Sequence, residues 1–180
     1  MIPGFYYLPN FISEPLQVSL NSFLNDPSRS WRNIGDSNIS RKFMILGSSY
    51  EGESPVEPFP DVMTQVRDMI RELVVVPDLV PLNQCLITRY DPPQGRSASR
   101  TSDIYGEFLC CVTLGSGVEL EFKKGMEIVK MYVEPNSLYI LSGEVRDEWL
   151  LQIRAKMEDK VYYQIIPRTI RTALTFRSVE

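Results

Sequence analysis

NQCLITRY at residues 83–90 opens a series of short apolar and β-branched runs: GEFLCCVTLGS (106–116), VELEFKKG (118–125), EIVKMYV (127–133), NSLYILSG (136–143), WLLQIRAK (149–156), YYQIIP (162–167) and TALTFR (172–177). Turn residues and charges bound each run, and the spacing predicts about eight strands of an all-β sandwich or barrel. Adjacent residues on a strand point to opposite faces, so the neighbours Cys110 and Cys111 are expected on two sides of one sheet, both in a core.

Upstream the period changes. EPLQVSLNSFL (14–24) places Leu16, Leu20, Phe23 and Leu24 on one helical face, with Ser13 as N-cap and Asp26-Pro27 as the stop. RKFMIL (41–46) reads as a strand running into a loop rich in Gly, Ser, Glu and Pro. DVMTQVRDMIRELVV (61–75) carries Val62, Val66, Met69, Ile70 and Leu73 on one face and predicts a second helix. The fold class expected is therefore α+β: two N-terminal helices supporting a β-sandwich, in one domain over 1–180, divided into a helical and lid region (1–80) and a strand-rich core (81–180).

With 180 residues and 43% hydrophobic content, the chain can bury a sizeable core. A net charge of −4 argues against an affinity built on neutralising many phosphates, although local basic spots remain at Arg41-Lys42, Lys123-Lys124 and Arg168/Arg171/Arg177. Three cysteines do not make a disulfide framework, so a reducing, intracellular compartment is expected. No apolar run approaches the roughly 18 residues of a membrane span, and no cleaved signal peptide is expected. There is no histidine at all. That excludes Ser-His and Cys-His nucleophile pairs. LGSGVE (114–119) is too short for a phosphate loop and reads as a turn.

Taken in order, several segments resemble the AlkB family of iron(II) and 2-oxoglutarate dioxygenases. They are GFYYLPNFIS (4–13), PVEPFPDVM (55–63), NQCLITRYDPPQG (83–95), IYGEFLCCVTLGSGVELEF (104–122), NSLYILSGEVRDEW (136–149) and RTALTFR (171–177). The resemblance covers nearly the whole chain and implies a double-stranded β-helix, or jelly roll. It also implies a His-x-Asp pair ahead of the Tyr-Gly at 105–106 and a second histidine after Trp149. Those places hold Ala98, Arg100 and Leu151; a one-residue gap changes the first two to Ser99 and Thr101, and no gap recovers a ligand pair.

A non-haem iron oxygenase needs two imidazoles and a carboxylate on one face of the metal. Leu151 and Ala98 offer no lone pairs, and Arg100 would oppose a cation. Asp103, Glu144, Asp147 and Glu148 are the remaining oxygen donors, of a type suited to magnesium, calcium or manganese. No metal and no cofactor are expected, with 2-oxoglutarate bound at most weakly. By the resemblance, Arg171 and Arg177 occupy the family's two arginine positions and Tyr90 its tyrosine position, while Thr88 stands where asparagine is usual. Those arginines either still hold a carboxylate or now serve packing, paired with Glu119, Glu121 or Glu134. The segment from Trp31 to Tyr50 corresponds to the family's nucleotide lid. There Trp31, Phe43 and Tyr50 are candidates to stack on a base, with core packing the alternative for Trp31 and Phe43, and Arg41 and Lys42 are expected either as solvated surface charge or in contact with phosphate.

Two functions are expected, the first leading and the second its alternative. One is a catalytically inactive scaffold acting as a structural or adaptor subunit of a larger protein or nucleoprotein assembly, with protein partners and no membrane. The other is a metal-independent binding module for a dicarboxylate or a nucleic-acid phosphate.

Overall fold

The structure, a computed structural model, describes residues 1–34, 41–50 and 56–180. Along them the elements run β1 (Phe5–Leu8), α1 (Glu14–Leu24), β2 (Arg32–Ile34), β3 (Arg41–Gly47), α2 (Asp61–Arg71), β4 (Gln84–Tyr90), β5 (Arg96–Ser99), β6 (Leu109–Gly115), β7 (Val118–Lys124), β8 (Glu127–Val133), β9 (Ser137–Leu141), α3 (Gly143–Asp147), β10 (Leu150–Ile153), β11 (Glu158–Val161), β12 (Gln164–Pro167) and β13 (Arg171–Arg177).

Helix α1 has the predicted bounds, because Ser13 accepts a hydrogen bond from the Leu16 N–H and caps its first turn. Helix α2 ends at Arg71, four residues short of expectation, and Leu73 is already in the turn that follows. Its buried face is Met63, Val66 and Ile70, so Met63 joins the core without having been singled out. Ten strands follow residue 83 where about eight were expected. The additions are β5, whose RSAS sequence has no apolar alternation, and β11, whose EDKV reads as a charged loop. The short helix α3 was not foreseen either.

The strands form a seven-stranded sheet in the order β1-β9-β6-β13-β4-β3-β2, a four-stranded sheet in the order β5-β10-β7-β8, and the hairpin β11-β12. The ladders are antiparallel and the sheets do not close into a barrel. This is the jelly-roll arrangement expected, with helices on one side.

Period-two alternation sorts the large sheet's side chains between two cores. Cys85, Ile87, Cys110, Val112, Leu174 and Phe176 pack with Leu16, Leu20, Met63, Val66 and Ile70 of the helices. From the opposite face, Cys111, Tyr139 and Ala173 pack with Leu120, Phe122, Leu151 and Ile153 of the small sheet. Cys110 and Cys111 thus lie in different cores, as the strand geometry required.

Candidate functional site

The sandwich-facing side of the large sheet is not filled to its end. On β13 the alternation that sends Leu174 and Phe176 to the helices turns Arg171, Ala173, Thr175 and Arg177 the other way; on β4 it turns Leu86, Thr88 and Tyr90. These seven residues, with Cys111 and Tyr139 from β6 and β9, line a cavity of about 290 Å³. Arg41 from β3, Arg96 from β5, and Arg100, Thr101, Ser102 and Tyr105 from the next loop complete the wall.

Five of the lining residues are therefore arginines, and none of the described lining residues is acidic. Guanidinium groups with low-dielectric walls concentrate positive potential, so the cavity favours anions and opposes cations. Arg171 is 4% exposed. Its Nη2 reaches Thr113 Oγ1 at 3.4 Å and it shares a hydrogen bond with Tyr139, but its Nε has no partner although it is buried. A buried charged donor left unmet costs roughly 1–3 kcal/mol. Tyr90 lies between two guanidiniums, its ring centroid 5.3 Å from Arg171 Cζ and 5.7 Å from Arg41 Cζ. Arg177 lies 3.5 Å from the Tyr105 ring centroid and donates from Nε to Gln84 Oε1 at 2.6 Å. Burial pushes the Tyr139 phenol well above its usual range, with Cys111 adding to the effect, so it stays a hydrogen-bond donor across the physiological range.

The three positions singled out by sequence, Tyr90, Arg171 and Arg177, are brought together. The pairing of Arg171 or Arg177 with Glu119, Glu121 or Glu134 is not what forms. Glu121 is held by Arg154 through two bonds of 2.8 and 2.9 Å, and Glu119 lies within 4 Å of Lys130 and Lys156. Sheet membership explains the miss: Glu119 and Glu121 belong to β7 of the small sheet, and Glu134 follows its strand β8. Arg168 also leaves the basic group, since Asp159 binds it at two points of 2.8 Å in a buried pair.

The positions where the resemblance would place metal ligands do not fit a metal. Leu151 is buried in the second core, whereas Ala98 is exposed and outside the cavity lining. Arg100 donates to the Asp147 carbonyl and lies 3.4 Å from Asp103. The four oxygen donors considered above are each held by a cation: Asp103 by Arg100, Asp147 by Arg146, and Glu144 and Glu148 by Lys124. Among the described residues no three acidic, cysteine or histidine groups gather to hold a metal. The donor set suits a carboxylate or phosphate and not Fe(II).

Of the lid residues, Trp31 packs against the helix-side core. Phe43 does not join a core; it lies on the face shared with Arg41, covered by Arg32 at 4.8 Å. Tyr50 is 37% exposed, Lys42 points away from Arg41 and is exposed, and residues 35–40 and 51–55 lie outside the described residues. The residues that sequence reading missed are Arg96, Tyr105 and Tyr139. Tyr139 was legible in principle, since it faces Cys111 across the β6–β9 ladder. Arg96 was not, because its strand carries no pattern. No helix among the described residues is long and apolar enough to cross a membrane.

No known sequence family's profile matches the chain. An uncharacterized protein of Acanthamoeba polyphaga mimivirus is 28% identical over 128 residues, which is 68% of this chain but 61% of the viral protein, less than two thirds of its length. A Danio rerio protein described as the probable RNA/DNA demethylase ALKBH6 is 22% identical across 98% of this chain and 86% of its own. Among solved structures, OsALKBH1 superposes with a TM-score of 0.69 at 20% identity, covering 99% of both chains. A 2OG-Fe(II) oxygenase-family oxidoreductase from Burkholderia pseudomallei gives 0.64 at 12% identity, over 97% of this chain and 85% of its own. A Pseudomonas putida prolyl-4-hydroxylase gives 0.59 at 14%, over 98% and 93%. The fold is that of the AlkB-like and related 2OG-Fe(II) oxygenases.

Proposed function

We propose that this chain, an AlkB-like oxygenase fold with no histidine to ligate iron, is a non-catalytic, metal-independent binding module for a small anion, a dicarboxylate or a phosphate. The observation that carries the reading is Arg171: a guanidinium 4% exposed, with an unpartnered Nε, in a cavity that four other arginines also line. A bidentate acceptor placed there gains charge-assisted bonds of about 1.5–3 kcal/mol each. The ligand's other acidic end meets Arg96 or Arg100, which line the same cavity.

The test is thermal unfolding in the presence of a chelator with 10 mM 2-oxoglutarate, succinate or pyrophosphate, and separately with short oligonucleotides. An anion with a millimolar dissociation constant stabilises by about 1.4 kcal/mol at that concentration. For a chain of this size that corresponds to ~3–6 °C. Arg96→Gln, at a half-buried position, should reduce the shift without the folding penalty of changing Arg171. If no anion moves the melting temperature, the reading is wrong.

A structural or adaptor role is the second reading, favoured by one observation. The β11–β12 hairpin carries Tyr162 and Tyr163 at its tip, 96% and 104% exposed, with Met157 and Ile165 exposed on its flanks. Tyr162 also takes φ +56°, a conformation that favours Gly or Asn. Exposed aromatics in a strained turn fit a protein contact. Recovery of the tagged chain from its native source as a monomer, with and without Tyr162→Ser and Tyr163→Ser, would count against it.

A further inference from the structure

Among the described residues lining the anion cavity is one thiol, which anion binding does not use. Cys111 lines it from β6, and its Sγ accepts a hydrogen bond from Thr175 Oγ1 at 3.7 Å. Cys111 also shares a hydrogen bond with the Tyr139 phenol, which in turn is hydrogen-bonded to Arg171. Arg171, Tyr139, Cys111 and Thr175 thus form one connected wall.

The other two thiols provide an internal contrast. Cys85 and Cys110 point to the helix-side core. Burial pushes the Cys85 thiol well above its usual range, and burial with the neighbouring Cys111 pushes Cys110 up to about 12. Both are inert hydrophobes. Cys111 differs by facing a cavity, and the second, independent sign of a ligand there is the unpartnered Nε of the buried Arg171.

We propose that Cys111 is the nucleophilic thiol of this cavity, a covalent modification site for small anionic electrophiles drawn in by the arginines. The inference builds on the anion-binding reading of the same cavity. In the step, Cys111 gives its proton to solvent and the sulfur lone pair attacks the electrophilic carbon of the ligand. The S–C bond forms as the bond from that carbon to the leaving group breaks, and the leaving group departs with the bonding pair. No oxidant or reductant takes part. The carboxylate or phosphate of the electrophile stays unchanged and is held by the guanidiniums, which fixes the reacting carbon near the sulfur.

Iodoacetate and its neutral counterpart iodoacetamide separate this from simple exposure. The native chain is treated with each, with and without pyrophosphate, and labelling at each cysteine is followed by peptide mass mapping; the urea-unfolded chain sets the intrinsic rate ratio. Cys111 is expected to react with iodoacetate at least about tenfold faster than Cys85 or Cys110. Its iodoacetate-to-iodoacetamide ratio should exceed that of the unfolded chain by about tenfold, the size of a local concentration effect from a focused potential. Pyrophosphate should slow the iodoacetate reaction. Labelling of Cys111 as slow as that of Cys85, or a ratio equal to that of the unfolded chain, overturns the proposal. If pyrophosphate still raises the melting temperature in that case, only the nucleophile is lost; if it does not, the anion site falls as well.

Discussion

Leu151 lies directly across the β5–β10 ladder from Ser99. A hydrocarbon and a hydroxyl thus face each other where the family resemblance calls for metal-ligating side chains, and Leu151 is fixed there by the second core. Fe(II), Mn(II) or Zn(II) should therefore shift the melting temperature by less than about 1 °C, under ~0.5 kcal/mol. A chelator should leave any anion-dependent shift unchanged. A metal-dependent gain in either measurement would contradict the donor set described above.

Arg146 holds the loop that forms one wall of the cavity. It donates to the carbonyls of Gly106 at 3.0 Å, Ser102 at 3.3 Å and Tyr105 at 2.6 Å, and pairs with Asp147. Arg146→Met keeps much of the stem volume but leaves those carbonyls without their charged donor, at a cost of about 2–4 kcal/mol. Hydrogen exchange should rise in residues 101–106 before it rises in β6 or β13. Uniform loss of protection would mean that Arg146 supports the whole fold and not the wall.

The Arg168–Asp159 pair joins β11 to the segment preceding β13, with Arg168 Nη1 also donating to the Arg154 carbonyl at 2.8 Å. Both side chains are buried, so removing one partner strands the other. Asp159→Ala is expected to cost roughly 3–5 kcal/mol in urea unfolding, whereas Asp159→Leu with Arg168→Met is expected to cost far less. Equal losses in the single and double variants would refute this account.

Glu121 gives a pH signature. Its hydrogen bonds from Arg154 hold the carboxyl below its usual range, overriding the opposing effect of burial. A carboxylate whose folded pKa is depressed contributes stability above its unfolded value, near 4.5, and loses it as pH falls through the folded value. Glu121→Gln should therefore melt lower than the parent at neutral pH, and the gap should close as pH falls from 4.5 through the depressed folded value. A gap that stays constant down to the acid limit would show that the deficit comes from packing.

Gly115 ends β6 opposite Arg171, with φ +81°. A Cβ at this position would lie 2.3 Å from the Ile170 carbonyl oxygen, so the close approach that seats Arg171 requires glycine. Gly115→Ala should destabilise by at least about 2 kcal/mol and weaken anion binding together with it. Unchanged anion affinity in a destabilised variant would separate the turn from the site.

Much of the fold was legible because its signals are local. The i, i+3, i+4 spacing of Leu16, Leu20, Phe23 and Leu24 and the Ser13 cap fixed α1 to the residue. The alternation in QCLITRY, LCCVTLG and RTALTFR marked the three adjacent central strands β4, β13 and β6. Strands β5 and β11 were not legible, because RSAS and EDKV owe their conformation to partners distant in sequence.

The sequence by itself determined what this protein lacks and where its strands lie. Having no histidine rules out imidazole ligation whatever the chain folds into, and alternation assigns Arg171, Thr175 and Arg177 to a single face. Only the tertiary structure decided what those arginines meet. Charge pairing depends on which strands become neighbours: Glu119 and Glu121 went to the small sheet and found Lys130, Arg154 and Lys156, while Arg41, Arg96 and Arg100 arrived from three other segments to face Arg171. The cavity is cationic because sheet topology separated the carboxylates from it, and no reading of spacing along the chain contains that information.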